Sequence, residues 1–415
     1  MALGFVTISS WAGPLGKALS GAAEKNAAFG SARLAAENAE DRLRAARASV
    51  FLPTLDLDSL HGFQGARPDD GAGPWRSSLE LRLSQNFYDN GQAWTELANS
   101  RRRSERAAID RDLAREDFAF RVWRAWIAWR LAESRLRIQR TQRDLVDRQF
   151  RQLQDQYRQG FKTRRDFLRI DAELKRSDLD LRASEDALAL ARAELGVLGL
   201  DELEGLALPL EGMIERDLVV PSDVATLPEL RRLALDEEIA RAAASQAKRS
   251  LWPRLSLEGT TAYGLYGYLG NAAPIADLDR WTWSLGLGAR WTLFDGGRLA
   301  SGADIAAREW ERGRLARVEA ERLHAARLET LARDQARVRA AIGVREQIRR
   351  IETEGFAVVQ ADYVEGKVDY LNLVQALGAR IAAETAFEEA VKNYLELQGE
   401  ARRYGGGLYA WMLEK

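Results

Sequence analysis

His61 and His324 are the only imidazoles in this chain, and no cysteine accompanies them. One histidine falls in an expected strand and the other in an expected helix, so neither an HExxH zinc helix nor a Ser-His-Asp arrangement can be assembled. A plain structural role fits both. The lack of cysteine removes disulfides, thiolate nucleophiles, thiolate metal sites and acylation of a mature N-terminal Cys. Gly286 and Gly288 superficially resemble a dinucleotide loop, but the third glycine is missing and the run has a strand pattern. The many Asp and Glu residues alternate with Arg and Lys along helical segments, as on solvated faces, instead of converging as an acid and base pair. The expectation is a protein that is not an enzyme and carries no cofactor or metal.

Bulk properties narrow the class further. With 415 residues, 46% apolar and 30% charged, the chain folds and has room for more than one domain. Its 61 Lys+Arg balance 62 Asp+Glu, which argues against a nucleic-acid partner. No apolar run reaches the roughly 18 residues of a transmembrane helix. The N-terminal MALGFVTISSWAGPLG is mildly apolar but lacks the positive region of a secretory signal, so an exported chain would have had its signal trimmed or replaced.

The elements that position these residues come in two copies. Tyr157-Arg-Gln-Gly160 recurs 206 residues later as Tyr363-Val-Glu-Gly366. Asp89-Asn90-Gly91 recurs as Asp295-Gly296-Gly297, and Trp75 as Trp281, at that same offset. Leu52-Pro53-Thr-Leu55-Asp-Leu57 matches Trp252-Pro253-Arg-Leu255-Ser-Leu257 at an offset of 200, so the second copy holds six extra residues between Pro253 and Trp281, expected in a loop. Each copy has the same order: amphipathic helix, Pro-initiated strand, loop, strand, turn, very long helix, YxxG turn, returning helix. The organisation expected is an N-terminal segment 1–16, a first repeat 17–198 with a strand hairpin 52–88 and a helical hairpin 92–198, and an equatorial connector 199–225. A second repeat 226–403 follows, with a strand hairpin 253–294 and a helical hairpin 297–403, and then a C-terminal tail 404–415 that is expected to contribute little.

The nine prolines all fall outside the long helical hairpins. Between Gly91 and Gly160 lie 68 residues without Gly or Pro, which as one helix would span roughly 100 Å. Phe118, Val122, Ala125, Trp129, Ala132 and Leu136 alternate steps of four and three, and Leu131, Ile138 and Leu145 form a second row at steps of seven. Two seams mean neighbours on both sides.

The strand segments have a second pattern. Trp281, Trp283, Leu285, Leu287, Ala289, Trp291 and Leu293 share one face of a period-two run, against Thr282, Ser284, Gly286, Gly288, Arg290 and Thr292. Tryptophans near both ends of the greasy face suit lipid-facing strands at two membrane interfaces. As one strand, residues 281–293 would run about 43 Å, enough to cross an outer membrane at a tilt. In the first copy Leu79, Leu81, Leu83, Gln85 and Phe87 oppose Glu80, Arg82, Ser84 and Asn86. Four such strands cannot close a barrel alone, and an open edge in lipid leaves backbone groups unsatisfied, so several chains must share one barrel.

In this order of elements the chain resembles the TolC family of outer-membrane efflux proteins over nearly its whole length. The resemblance rests on an Ala-rich helix running into LPxLxL (Ala45 to Leu57, Ala242 to Leu257), on Pro228-Glu229-Leu230, on Phe294-Asp295-Gly296-Gly297, and on Tyr363 to Leu371. It implies a homotrimer located in the cell outer membrane and extending into the periplasm. The fold implied is a mixed α and β one, a tandem-repeat protomer of a trimeric transmembrane β-barrel of twelve strands continued by a long α-helical coiled-coil barrel. The activity implied is that of a passive exit duct of a tripartite efflux pump or type I secretion system. The partners implied are outer-membrane lipid, a periplasmic adaptor and, through it, an inner-membrane pump or ABC exporter. A soluble coiled-coil scaffold is the alternative, and it leaves the Trp-rich strands unexplained.

The resemblance also implies a gate at the two YxxG turns, Tyr157 to Gly160 and Tyr363 to Gly366. In the family, polar links between the two helical hairpins hold the mouth closed, and by motif position the linked pair is Tyr363 and Asp166. The family often places an arginine just after the second turn's glycine and acidic rings in the narrowed pore. Here Val368 takes the arginine's place with Lys367 beside it as a stand-in, while Asn372 and Gln375 replace the acids, and Asp369 completes the turn motif. The structural alternative is that Tyr363 and Asp166 cap their own helical turns.

Overall fold

The computed structural model describes residues 14–63, 75–200, 214, 221, 223–267 and 280–414. Most of the expected connector, the N-terminal residues 1–13 and the loop holding the extra residues of the second strand hairpin lie outside them. Two helices come first, α1 (Pro14–Lys25) and α2 (Ala27–Phe51). They are separated at Asn26, whose Oδ1 accepts the Phe29 N–H at 3.0 Å and so caps α2. Strands β1 (Thr54–Phe63) and β2 (Trp75–Tyr88) follow, then helices α3 (Gln92–Arg158) and α4 (Arg164–Val197). The order then repeats with α5 (Pro228–Arg249), β3 (Arg254–Gly267), β4 (Arg280–Arg290), α6 (Arg298–Val364) and α7 (Tyr370–Tyr404), and ends on α8 (Leu408–Glu414). Helices α3 and α6 are both 67 residues long, each running from a Gly-containing turn to a YxxG turn without an internal proline.

The four strands form one antiparallel sheet in the order β1-β2-β3-β4, leaving β1 and β4 as open edges. Strand β4 stops at Arg290, which pairs with Arg254, so Trp291, Thr292 and Leu293 lie beyond the strand expected to contain them. The reason is local: Pro253 precedes β3, and its nitrogen offers no donor with which to extend the ladder. A register shift between Asn86 and Tyr88 likewise interrupts the alternation of the first copy at Phe87.

By contacts the chain sorts into two units. The unit made of residues 34–109 and 232–319 holds the sheet and the helix ends that feed it. There Phe51 meets Trp94 edge-on, and Arg102–Glu238 (2.8 Å), Arg106–Asp236 (3.1 Å) and Arg317–Glu237 (2.6 Å) tie the helices.

The unit made of residues 1–33, 110–231 and 320–415 is helical and contains the main core, built round Phe118, Val122, Trp123, Trp126, Ile127 and Leu395. Trp123 is fully buried, stacks on Trp126 and donates its Nε1–H to the Leu395 carbonyl at 2.8 Å. Gly399 makes room for it, since a Cβ there would lie 2.4 Å from Trp123 Cδ1. The expectation that the tail adds little is corrected here. Gly406, at φ 71°, turns the chain so that α8 inserts Leu408, Trp411 and Met412 into this core, with Trp411 edge-on to Trp123. Gly16 of α1 lies against α8 so closely that a Cβ would meet the Leu413 backbone oxygen at 2.5 Å.

Candidate functional site

Register divides the sheet into two unlike faces. Leu55, Leu57, Leu79, Leu81, Leu83, Tyr263, Trp281, Trp283, Leu285 and Leu287 share one face, where Trp281, Trp283 and Leu287 are 71%, 72% and 79% exposed. The opposite face carries Asp56, Asp58, Glu80, Arg82, Glu258, Thr260, Thr282, Ser284, Gly286 and Gly288. Trp291 and Leu293, though outside the strand, are exposed as well, and Trp291 donates its Nε1–H to the Leu251 carbonyl at 3.0 Å. An apolar patch of this size exposed beside two open edges marks a surface built for lipid or for other subunits.

The strand-to-helix turns repeat in detail. Asn90 and Gly91 (φ 59° and 78°) correspond to Gly296 and Gly297 (φ 70° and 86°), a left-handed pair that glycine and asparagine adopt at least cost. Asp89 accepts the Ala93 N–H at 2.7 Å and Asp295 accepts the Leu299 N–H at 2.8 Å, so each aspartate satisfies a free donor at the start of a 67-residue helix.

The YxxG turns repeat just as closely. Gly160 (φ 79°) and Gly366 (φ 74°) end α3 and α6, with Phe161 N–H bonded to the Gln156 carbonyl and Lys367 N–H to the Asp362 carbonyl. Thr163 then caps α4 and Asp369 caps α7. Tyr157 stacks on Phe167, which also touches Phe150.

The polar residues expected at a gate are placed as follows. Asp166 is held by its own helix: it accepts the Thr163 hydroxyl at 2.8 Å and the Thr163 N–H at 3.3 Å, while the Thr163 oxygen accepts the Asp166 N–H. The Thr163 hydroxyl bond keeps its carboxyl below the usual aspartate range. Tyr363 packs on Phe356, Leu373 and Leu377, and burial pushes its phenol up. Within this chain, then, Tyr363 and Asp166 are not brought together. Lys367 pairs with Glu365 at 2.5 Å and Asp362 at 3.8 Å, and Asp369 accepts the Asn372 N–H at 3.0 Å. Asn372 and Gln375 are exposed.

Two features went unnoticed in the sequence. Tyr370, inside the second turn's motif, joins the hairpins by packing on Val146, Leu153 and Ile170, and its buried hydroxyl has no partner. Glu116, 2% exposed, accepts the N–H groups of Leu408 (2.8 Å) and Tyr409 (3.1 Å) and so fastens α8. The spacing Thr163-x-x-Asp166 was a readable capping signal; nothing local announces Glu116. Among the described residues no cluster of His, Asp or Glu could hold a metal ion, and no helix is long and apolar enough to cross a membrane.

Residues 18–198 and 224–402 match the family model described as outer membrane efflux protein. The fold is also that of solved outer membrane channels. The open state of the Neisseria gonorrhoeae MtrE outer membrane channel is 19% identical, with 97% of this chain and 90% of that one covered and a TM-score of 0.81. The Campylobacter jejuni CmeC outer membrane channel is 15% identical over 95% and 85% of the two chains, with a TM-score of 0.78. The outer membrane protein VceC of Vibrio cholerae is 16% identical over 95% and 96%, with a TM-score of 0.74. Comparison with curated protein sequences returns no match.

Proposed function

We propose, on the premise that this chain belongs to the outer membrane efflux protein family, that three copies form a passive exit duct through the outer membrane and across the periplasm. The observation that carries this reading is the four-stranded sheet with an exposed apolar face and two open edges. In lipid every edge donor and acceptor must be paired, and single-chain barrels need at least about eight strands, so a sheet of this size has to be completed by other copies. Three copies supply twelve strands. The apolar face then meets lipid through Trp281, Trp283, Leu285 and Leu287, and the face carrying Ser284 and Gly288 lines water. Conduction through such a pore needs shape and a gate rather than bound cofactors. The energy source sits at the inner membrane, in an efflux pump or a type I secretion exporter reached through a periplasmic adaptor. The gate lies at the YxxG turns, where both long helices reverse at Gly160 and Gly366. In this arrangement Asp166 serves its own helix, so the Tyr363–Asp166 contact belongs to another state of the mouth or is replaced by a different link.

The test is the mass of the detergent-solubilised particle together with its behaviour in planar bilayers. A trimer that conducts ions is the expected outcome. A folded monomer, stable in plain buffer and unable to conduct, overturns the proposal.

A further inference from the structure

A recess of about 650 Å³ lies between α3 and α4 in the helical unit, and arginine dominates its lining. Arg130, Arg137 and Arg140 of α3 and Arg192 of α4 line it, against two carboxylates, Glu133 and Asp144. The volume falls in the range of small-molecule sites. Buried Leu136 and Leu188 line it as well, so the charges sit over an apolar floor, where they are screened less than on an open surface.

The hairpin itself does not require these cations. At the 206-residue offset the second repeat has Ala336, Gly343, Glu346 and Gln398 in the corresponding places, and its helices α6 and α7 form a hairpin on the same plan. Ion pairs within the chain engage the four arginines unequally. Arg130 is paired with Glu133, while Arg140 is separated from Glu185 by 3.5 Å, and Asp144 lies 4.0 Å from Arg143. Arg137 donates to the Ser134 hydroxyl at 2.9 Å, and the acid nearby, Glu388, is bound by that same serine. Arg192 is exposed, and the residues three and four positions away along α4 are Leu188, Ala189, Leu195 and Gly196, so its own helix offers no carboxylate. It forms no ion pair among the described residues. Exposed cations of the shafts elsewhere do find such partners, as Lys175 does with Asp171 at 2.7 Å and Arg337 with Asp334 at 2.8 Å.

We propose that this recess binds a small soluble multivalent phosphate, held between Arg137 and Arg140 of α3 and Arg192 of α4. A guanidinium presents its N–H groups as a planar fork that matches phosphate oxygens two at a time, and three such forks favour a ligand with more than one negative charge. The cations come from both helices of the first hairpin, so an anion bridging them clamps α3 to α4 beside Leu136 and Leu188. That hairpin then gains a ligand-dependent stability that the second, with its alanine, glycine, glutamate and glutamine, does not have.

The test is calorimetric titration of the detergent-solubilised full chain with pyrophosphate at low salt. Wild type should bind it, its thermal midpoint should rise with ligand, and the affinity should fall as NaCl is added. Arg137→Gln with Arg192→Gln should weaken binding at least about tenfold, because two charge-assisted contacts are lost. Arg333→Gln with Arg337→Gln removes the same charge from exposed arginines of α6, paired there with Glu329 and Asp334, and should leave binding unchanged. Arg192→Gln alone alters only an exposed side chain without an ion pair, so it serves where the double variant misfolds, and it should weaken binding several-fold. Wild type that binds no pyrophosphate, equal losses in the two double variants, or binding of a short-chain phosphatidate without binding of pyrophosphate each overturns the proposal. The duct reading is judged separately, by trimer mass and conductance.

Discussion

Tryptophan occupies two opposite situations in this molecule. Trp123 and Trp126 of α3 are fully buried, stacked on each other and closed over by α8, whereas Trp281 and Trp283 of β4 are more than two-thirds exposed on one face of the sheet. The helical core completes itself with residues from both termini and both repeats. The sheet does not complete itself within the chain: its apolar face is exposed and both of its edge strands are open. On the proposed duct reading, the difference separates what one chain satisfies alone from what an assembly would satisfy.

The comparison is tested most severely at Trp123. Its replacement by alanine removes a fully buried ring, an indole hydrogen bond to Leu395 and two aromatic contacts. The expected cost is about 3–5 kcal/mol. Denaturant unfolding in detergent should show a large loss of stability for Trp123→Ala, while Trp283→Ala should leave the fold of the single chain nearly unchanged. Equal losses at the two sites would erase the distinction between core and membrane tryptophans.

The next effect concerns the two faces of β4. Arginine at a lipid-facing position near the bilayer midplane costs about 2–4 kcal/mol, and a water-lined face tolerates it. Leu287→Arg should therefore reduce trimer yield in the outer membrane far more than Ser284→Arg, measured by membrane fractionation and native mass. If both variants assemble alike, the assigned facing is wrong.

The sequence carried the long-range plan well because that plan depends on residue types that act locally. The run free of Gly and Pro between Gly91 and Gly160 became α3 up to Arg158, the left-handed positions fell on Gly91, Gly160, Gly296, Gly297 and Gly366, and period-two alternation sorted the sheet faces. The first coiled-coil row is buried at Phe118, Val122, Ala125, Trp129 and Leu136, and the second is buried at Leu131 and half-buried at Ile138 and Leu145. Features that depend on distant partners stayed hidden. The end of β4 at Arg290 is set by the proline before β3, and the docking of α8 is set by Glu116, nearly 300 residues upstream of Leu408. Tail residues after three glycines look dispensable until the cavity they fill is known. At the first reversal turn, the partner of Asp166 was decided by Thr163, three residues away.

The smallest effect sharpens the same contrast with two carboxylates of the helical unit. Burial, the largest influence on Glu116, pushes its carboxyl above the ordinary glutamate range, with the Tyr409 and Leu408 N–H groups pulling the other way. The hydroxyl of Thr163 pulls the partly exposed Asp166 below the ordinary aspartate range. The signs follow from linkage. A carboxyl raised in the folded state adds stability that is full below its unfolded value, about 4.3 for Glu, and is lost as pH rises through the folded value. A carboxyl lowered in the folded state adds stability that is full above its unfolded value, about 3.9 for Asp, and is lost as pH falls through the folded value. Acidifying from neutrality to about pH 5 should therefore raise the stability of the fold at Glu116, by relieving the burial of its charge, while leaving the cap of α4 intact, since that pH lies above both of the Asp166 values. Replacing Glu116 with glutamine keeps an acceptor for the two N–H groups and removes the titration. Thermal midpoints of wild type and Glu116→Gln, compared across this pH range, should shift relative to each other in favour of wild type as pH falls. A difference that stays constant with pH would mean that Glu116 does not titrate in this range and that its burial does not raise its carboxyl into it.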